Sequence, residues 1–313
     1  MNKSKNLGKS AFDSELVERS GVNDLPSEIE LYNQIMLKNE LVWGDIIDKK
    51  DVEYWLSNFK GEVFDINYER KLALLLLANF VFYNENEVRH LCKNLYREFL
   101  HLMIEEQKSK SKDLLKIIES IHSKSCFQNL GLPGESGGYL LYYFRQENKL
   151  PLLCMQESSS TENIIFVDDV TISGKQAMQY IERDGRKDEK RELLLTLIST
   201  YEAINLLKSH NIHVISSIVL DDRSKCFSMS SGIFHYFQEH QNKCKIFAKH
   251  YGKKLFSKHP LGYKSGEYAF GFYYNTPVNA LPIFWSKANG WIPILKRYSK
   301  KIRGIPNEFG TFI

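Results

Sequence analysis

Two adjacent carboxylates, Asp168 and Asp169, follow a run of four apolar residues, Ile164-Ile-Phe-Val167, and lead into a turn of small residues, Thr171-Ile-Ser-Gly174. A continuous apolar run fits a central strand buried on both faces, and the residues from Lys175 fit a helix. In an open α/β sheet, ligands bind beyond the carboxyl ends of the strands. The N–H groups at the next helix N-terminus then favour a phosphate. Gly174 lets the backbone come close to such a ligand, and Ser173 adds a hydroxyl donor. Each carboxylate can accept a hydrogen bond from a sugar diol, or hold a Mg²⁺ ion that contacts it. The chemistry suggested is recognition of a sugar phosphate. The same residues also read as an acidic strand end before a capped helix, and residue types alone leave both readings open.

A second glycine-rich stretch, Gly134-Glu-Ser-Gly-Gly138, precedes a helix expected over Tyr139–Glu147 and a short strand expected over Leu150–Met155. Glycines let backbone amides converge on an anion, although the stretch reads equally as a linker into the helix.

The elements that must position these residues fall into two stretches. Residues 1–25 are polar and unpatterned, as in a mobile tail. Residues 26–122 carry helical spacing throughout: Ser27 with Glu30 has capping-box spacing, and Glu69–Tyr83 is apolar nearly all round, as a buried helix is. Val88, Leu91, Leu95, Phe99 and Leu102 recur at three and four residues. From residue 123 to 313 the character changes. Strands at Ile164–Val167, Leu193–Ser199 and His213–Leu220 alternate with helices at Lys175–Asp184 and Tyr201–His210, which predicts a mostly parallel sheet. From Gly252 the chain is rich in aromatics and proline, and it is expected to pack as strands and loops over the end of that sheet.

Of 313 residues, 43% are hydrophobic and 26% charged, ordinary for a soluble protein able to bury a core. The formal net charge of +4 is spread along the chain and compels no nucleic-acid partner. Three short basic clusters occur, around Lys108–Lys112, Arg183–Arg191 and Lys296–Arg303, and the last is the best candidate for an anionic partner. The N-terminal residues lack a signal-peptide core, and the most apolar run, Lys71–Phe82, is too short for a bilayer, so no membrane partner is expected. Five cysteines, odd in number and unpaired in spacing, fit free thiols in a reducing cytoplasm. His210/His213 and His235/His240 lack the companions a zinc site needs.

The stretch Val167-Asp-Asp-Val-Thr-Ile-Ser-Gly-Lys175 resembles the ribose-5-phosphate loop of type I phosphoribosyltransferases. The resemblance implies an α/β fold of that type, with an N-terminal helical module and a C-terminal aromatic hood. It also implies that Asp168 and Asp169 meet the ribose hydroxyls, with Mg²⁺ held indirectly, and that Thr171, Ser173, Gly174 and Lys175 cradle the 5′-phosphate. Glu135, Ser136, Gly137 and Gly138 match the family's pyrophosphate loop. Ile172 departs from the family's small hydroxyl or alanine, and Gln176 from its Thr or Ser. The extra strand-like segment Glu192–Ser199 marks a divergent member.

The string Asn275-Thr-Pro-Val-Asn-Ala-Leu-Pro-Ile-Phe-Trp285 is similar to phosphoribosyltransferase-like effectors of bacterial conflict systems, found beside reverse transcriptases in retron-type antiphage cassettes. That likeness implies a toxin acting at the anomeric carbon of a ribose phosphate or nucleotide. A partner would restrain it, namely the reverse transcriptase and its nucleic acid. Asn275 and Trp285 would then hold a base or acceptor, with Tyr274 as another stacking candidate. A non-catalytic nucleotide sensor of the same fold is the alternative.

Overall fold

The computed structural model describes residues 24–107, 113–131, 136–183 and 190–297. Residues 1–23 of the N-terminal tail, most of the first two basic clusters and residues 298–303 of the third lie outside them.

Four strands form the main sheet: β2 (Ser125–Asn129), β3 (Asn163–Thr171), β4 (Arg191–Thr200) and β5 (His213–Leu220). Their spatial order follows the chain, and every neighbouring pair is parallel. The alternation of β3 explains how the layers divide. Ile165 and Val167 join a core with Val88, Cys92, Leu95 and Phe99 of helix α4 (Glu85–Gln107), Ile117 and Ile121 of α5 (Leu114–Ser123), and Leu140 and Phe144 of α6 (Ser136–Glu147). Ile164 and Phe166 face the opposite core, with Ala177 and Ile181 of α7 (Lys175–Arg183) and Leu207 of α8 (Tyr201–Ser209). Helices on both faces of a parallel sheet are the α/β architecture expected.

Several boundaries differ from the sequence reading. Strand β3 runs on to Thr171, because β4 extends alongside it and continues the ladder through Thr171 opposite Ser199. Strand β2 is not legible in advance, since only Cys126 and Phe127 of its five residues are apolar. The strand expected at Leu150–Met155 is a 3₁₀ turn over Leu152–Met155, entered through Lys149 at φ 52° and Pro151.

A second core joins the two ends of the chain. Helices α1 (Glu28–Lys38), α2 (Lys49–Leu56) and α3 (Ile66–Ala78) contribute Leu31, Trp55 and Leu72–Ala78, and the C-terminal part contributes Phe247, Tyr251, Ile283 and Phe284. Ser27 and Glu30 form the capping box that their spacing predicts. Trp55 Nε1 donates to Ile283 O at 2.8 Å. The fully buried Glu69 carboxylate accepts from Gly61, Val63 and Phe64 N–H groups and from the Tyr251 hydroxyl. Tyr251 belongs to α9 (Gln238–Leu255), a long helix whose apolar pattern is diluted by lysines and histidines. A short strand β1 (Val81–Tyr83), inside the stretch expected to be wholly helical, pairs in parallel with β6 (Phe270–Phe272) and connects the two cores. All five cysteines are buried, and none forms a disulfide. No helix among the described residues is long and apolar enough to cross a membrane.

Candidate functional site

Asp168 and Asp169 lie near the carboxyl end of β3, an interior strand of the sheet, with Asp168 opposite Thr196 of β4. Consecutive positions of a strand point to opposite faces, so the two carboxylates have different surroundings. Asp168 is half-buried, whereas Asp169 is 8% exposed and accepts a hydrogen bond from the Tyr274 hydroxyl at 3.3 Å. Burial and the Asp169 charge hold the Tyr274 phenol well above its ordinary pKa, which keeps it a donor.

Thr171 ends the strand. Its side chain is buried, and its Oγ1 has no hydrogen-bond partner among the described residues. An unsatisfied buried hydroxyl is costly, at about 1–3 kcal/mol, and groups of this kind mark places where a ligand or water completes the structure. Ile172 and Ser173 are half-buried, and Gly174 has φ +68°. A Cβ at Gly174 would meet Ala203 O at 3.1 Å, so both the backbone and the close approach of α8 require glycine there. Helix α7 then starts at Lys175, which is exposed.

The end of β4 fixes the shape of this turn. Ser199 Oγ donates to Thr171 O at 3.0 Å, and Thr200 Oγ1 donates to Ile172 O at 2.6 Å. Thr200 Oγ1 also accepts from Ala203 N, capping α8. One hydroxyl therefore ties the turn after β3 to the start of the next helix. Lys264, from the C-terminal part, lies within electrostatic reach. Burial and the Lys175 charge push its ammonium below the ordinary lysine pKa.

The glycine stretch reaches the same end of the sheet. A Cβ on Gly137 would meet Leu130 O at 2.9 Å and Val167 O at 3.5 Å, so the first turn of α6 rests on the residue after β2 and on the β3 residue just before Asp168. Gly138 faces open space. Tyr180 of α7 donates to Gly131 O at 3.1 Å, joining the two loops from the other side. Glu135 and the side chain of Ser136 lie outside the described residues.

The C-terminal aromatic segment covers the site on the Asp169 side. Phe272 and Asn275 exchange backbone hydrogen bonds at 2.9 and 3.0 Å, closing a tight turn that presents Tyr274, which stacks on Phe272. Trp285 is half-buried and donates from Nε1 to Ala280 O at 2.9 Å. The Arg297 guanidinium lies 5.0 Å from the Trp285 ring centroid and donates to Thr276 O. Tyr274 thus meets the acidic pair directly, at Asp169, while Arg297 interacts with Asp169 through charge. Arg297 belongs to the C-terminal basic cluster that its composition singled out for an anion. Ser199, Thr200 and Lys264 carried no such signal, because their roles depend on contacts distant in the chain.

No group of three or more acidic, histidine or cysteine side chains able to hold a metal occurs among the described residues. A Mg²⁺ ion takes one or two carboxylates and completes its shell with water and substrate phosphates. Asp168 fits that use, while Asp169 already faces Tyr274 and the Arg297 charge.

No curated protein and no solved structure matches the chain. The model of one protein family, PRTase-CE, a phosphoribosyltransferase-like domain, matches residues 52–297. That span takes in the parallel sheet, the glycine-bearing turn after β3, the acidic pair and the aromatic cover up to Arg297, and the chain belongs to the PRTase-CE family.

Proposed function

We propose that the chain binds a ribose phosphate or nucleotide at the carboxyl ends of β2 and β3, and that it transfers or cleaves at the anomeric carbon. The observation that carries this reading is the turn at Thr171–Lys175. It combines a buried hydroxyl with no partner among the described residues, a glycine at positive φ, and a helix N-terminus beside two carboxylates. Such a turn suits a 5′-phosphate, and carboxylates two and three residues before it suit the ribose hydroxyls. In an oxocarbenium-like transition state the sugar gains positive charge, which nearby fixed carboxylates stabilise. The glycine-bearing start of α6, against Val167 O, is positioned to receive a departing anion. A Mg²⁺ ion, if bound, would be held indirectly through Asp168 and would neutralise phosphate charge. The chain itself supplies positioning, and no residue is assigned as a nucleophile.

The likeness of Asn275–Trp285 to conflict-system effectors supports a role as an antiphage toxin in the cytoplasm, restrained by a reverse transcriptase and its nucleic acid. Ile172 favours the second reading, a non-catalytic nucleotide sensor. It turns toward the sheet core and brings no hydroxyl to the turn, and Gln176 is exposed.

Mass spectrometry of small nucleotides and RNA after induction of the protein separates these readings. Asp168→Asn/Asp169→Asn serves as the control, since it removes charge while nearly conserving shape. The catalytic reading expects a nucleotide or RNA product and growth arrest from the native chain, and neither from the double variant. Full toxicity in a folded double variant would remove the catalytic assignment. Ligand binding with no substrate consumed by either form would establish the sensor.

A further inference from the structure

We propose that Arg297 is an anion-binding residue of the aromatic cover of this site: its guanidinium, over the Trp285 ring and bonded to Thr276 O, receives an oxyanion carried by the second substrate. That the oxyanion belongs to a second substrate rests on the sugar-phosphate reading above; the anion site itself does not.

The guanidinium is held before any ligand arrives. Trp285 fixes its plane at 5.0 Å, and Thr276 O fixes one edge. The backbone behind it is pinned as well, because Thr276 N donates to Lys296 O at 3.1 Å. A preorganised planar fork loses little entropy on meeting a carboxylate or phosphate. Arginine carries five N–H donors, and among the described residues Arg297 makes one hydrogen bond, from Nη1.

Its charge is also under-compensated. Burial pushes the Arg297 pKa down to about 10, even though Asp169 pulls in the other direction. Arg89 is the contrast within the same molecule. It bonds to Glu85 and Glu147, and these partners outweigh its desolvation and raise its pKa. A structural ion pair has the balance of Arg89. A desolvated cation with unused donors has the balance of Arg297, and an incoming anion is what restores it.

The test is calorimetric titration of the full chain with ribose 5-phosphate and then, at saturation, with inorganic phosphate, with acetate in a parallel arm. The native chain is expected to take up one further anion. Arg297→Gln should weaken that second step by about tenfold or more while changing ribose 5-phosphate affinity by less than about threefold. Tighter phosphate than acetate assigns a phosphate, the reverse a carboxylate, and either supports the site. No second anion on the native chain, an unchanged second step in Arg297→Gln, or equal loss of both steps overturns it. Should Arg297→Gln not fold, Arg297→Lys carries the test. It keeps the charge but not the fork, and must still weaken the second step selectively. If ribose 5-phosphate fails to bind while phosphate binds in an Arg297-dependent way, the sugar reading falls and the anion site stands.

Discussion

Thr171 offers a sharp separation of binding from stability, because its buried hydroxyl has no hydrogen-bond partner among the described residues. Replacing such a group with an apolar one of the same shape is nearly neutral or stabilising. Thr171→Val should therefore unfold at the same denaturant concentration as the native chain, or higher by up to about 1 kcal/mol in stability. Its affinity for ribose 5-phosphate should fall by about tenfold, the value of one charge-assisted hydrogen bond. Thr171→Ser should bind as the native chain does. A Thr171→Val protein that binds normally but unfolds earlier would make the hydroxyl structural. The motif around Thr171 was legible in the sequence because strand, acidic pair, turn and helix are contiguous. Arg297 is marked in the sequence only as one of a basic cluster, since its individual significance comes from Trp285 and Thr276 folding back to meet it.

Between elements, the turn after β3 is held by the end of β4. Thr200 Oγ1 bonds Ile172 O and caps α8, so losing it affects both stability and the shape of the turn. Thr200→Val should cost about 1 kcal/mol as a lost N-cap and should also weaken ribose 5-phosphate binding at temperatures far below unfolding. Thr200→Ser keeps the hydroxyl and should restore both. Rescue of stability without rescue of binding would show that the turn does not depend on this tie. A second prediction concerns α4 and α5, where Tyr96 OH meets His122 Nε2 at 2.5 Å. Burial lowers the His122 pKa below its ordinary 6.5. The unfolded chain then binds more protons than the folded one as pH falls below that value, so this contribution to stability is present above it and fades with acidification. His122→Gln should flatten the pH dependence of urea unfolding between about pH 5 and 7, and an unchanged slope would exclude His122 as its source. Strand–helix alternation from Asn163 to Leu220 was legible because each element is long enough to show its period. Strand β2 and helix α9 were not: the first has two apolar residues in five, and lysines and histidines dilute the pattern of the second.

At the scale of the whole molecule, the chain's two ends build one core, which the sequence could not reveal because its partners are distant in the chain, 182 residues apart for Glu69 and Tyr251 and 228 for Trp55 and Ile283. Trp55 tests that closure. It is fully buried, packs edge-on against Phe59 and stacks on Phe284, and donates to Ile283 O. Phe284 adjoins Trp285, which carries Arg297, so the N-terminal helices support the wall of the site from behind. Trp55→Ala should cost about 3–5 kcal/mol through loss of apolar contact and the cavity left behind. Trp55→Phe should cost much less, for a specific reason. Ile283 O also accepts from Trp291 Nε1 at 3.0 Å, so removing the Trp55 indole N–H leaves that carbonyl with a partner. The remaining loss is one ring's worth of packing, about 1–2 kcal/mol. Because the separate β1–β6 pair carries Phe82 into this core and Phe270 and Phe272 into the core against the main sheet, both variants should unfold in a single transition by fluorescence and circular dichroism. Two separated transitions, with the sheet surviving loss of the N-terminal helices, would mean that the ends close on each other without supporting the site.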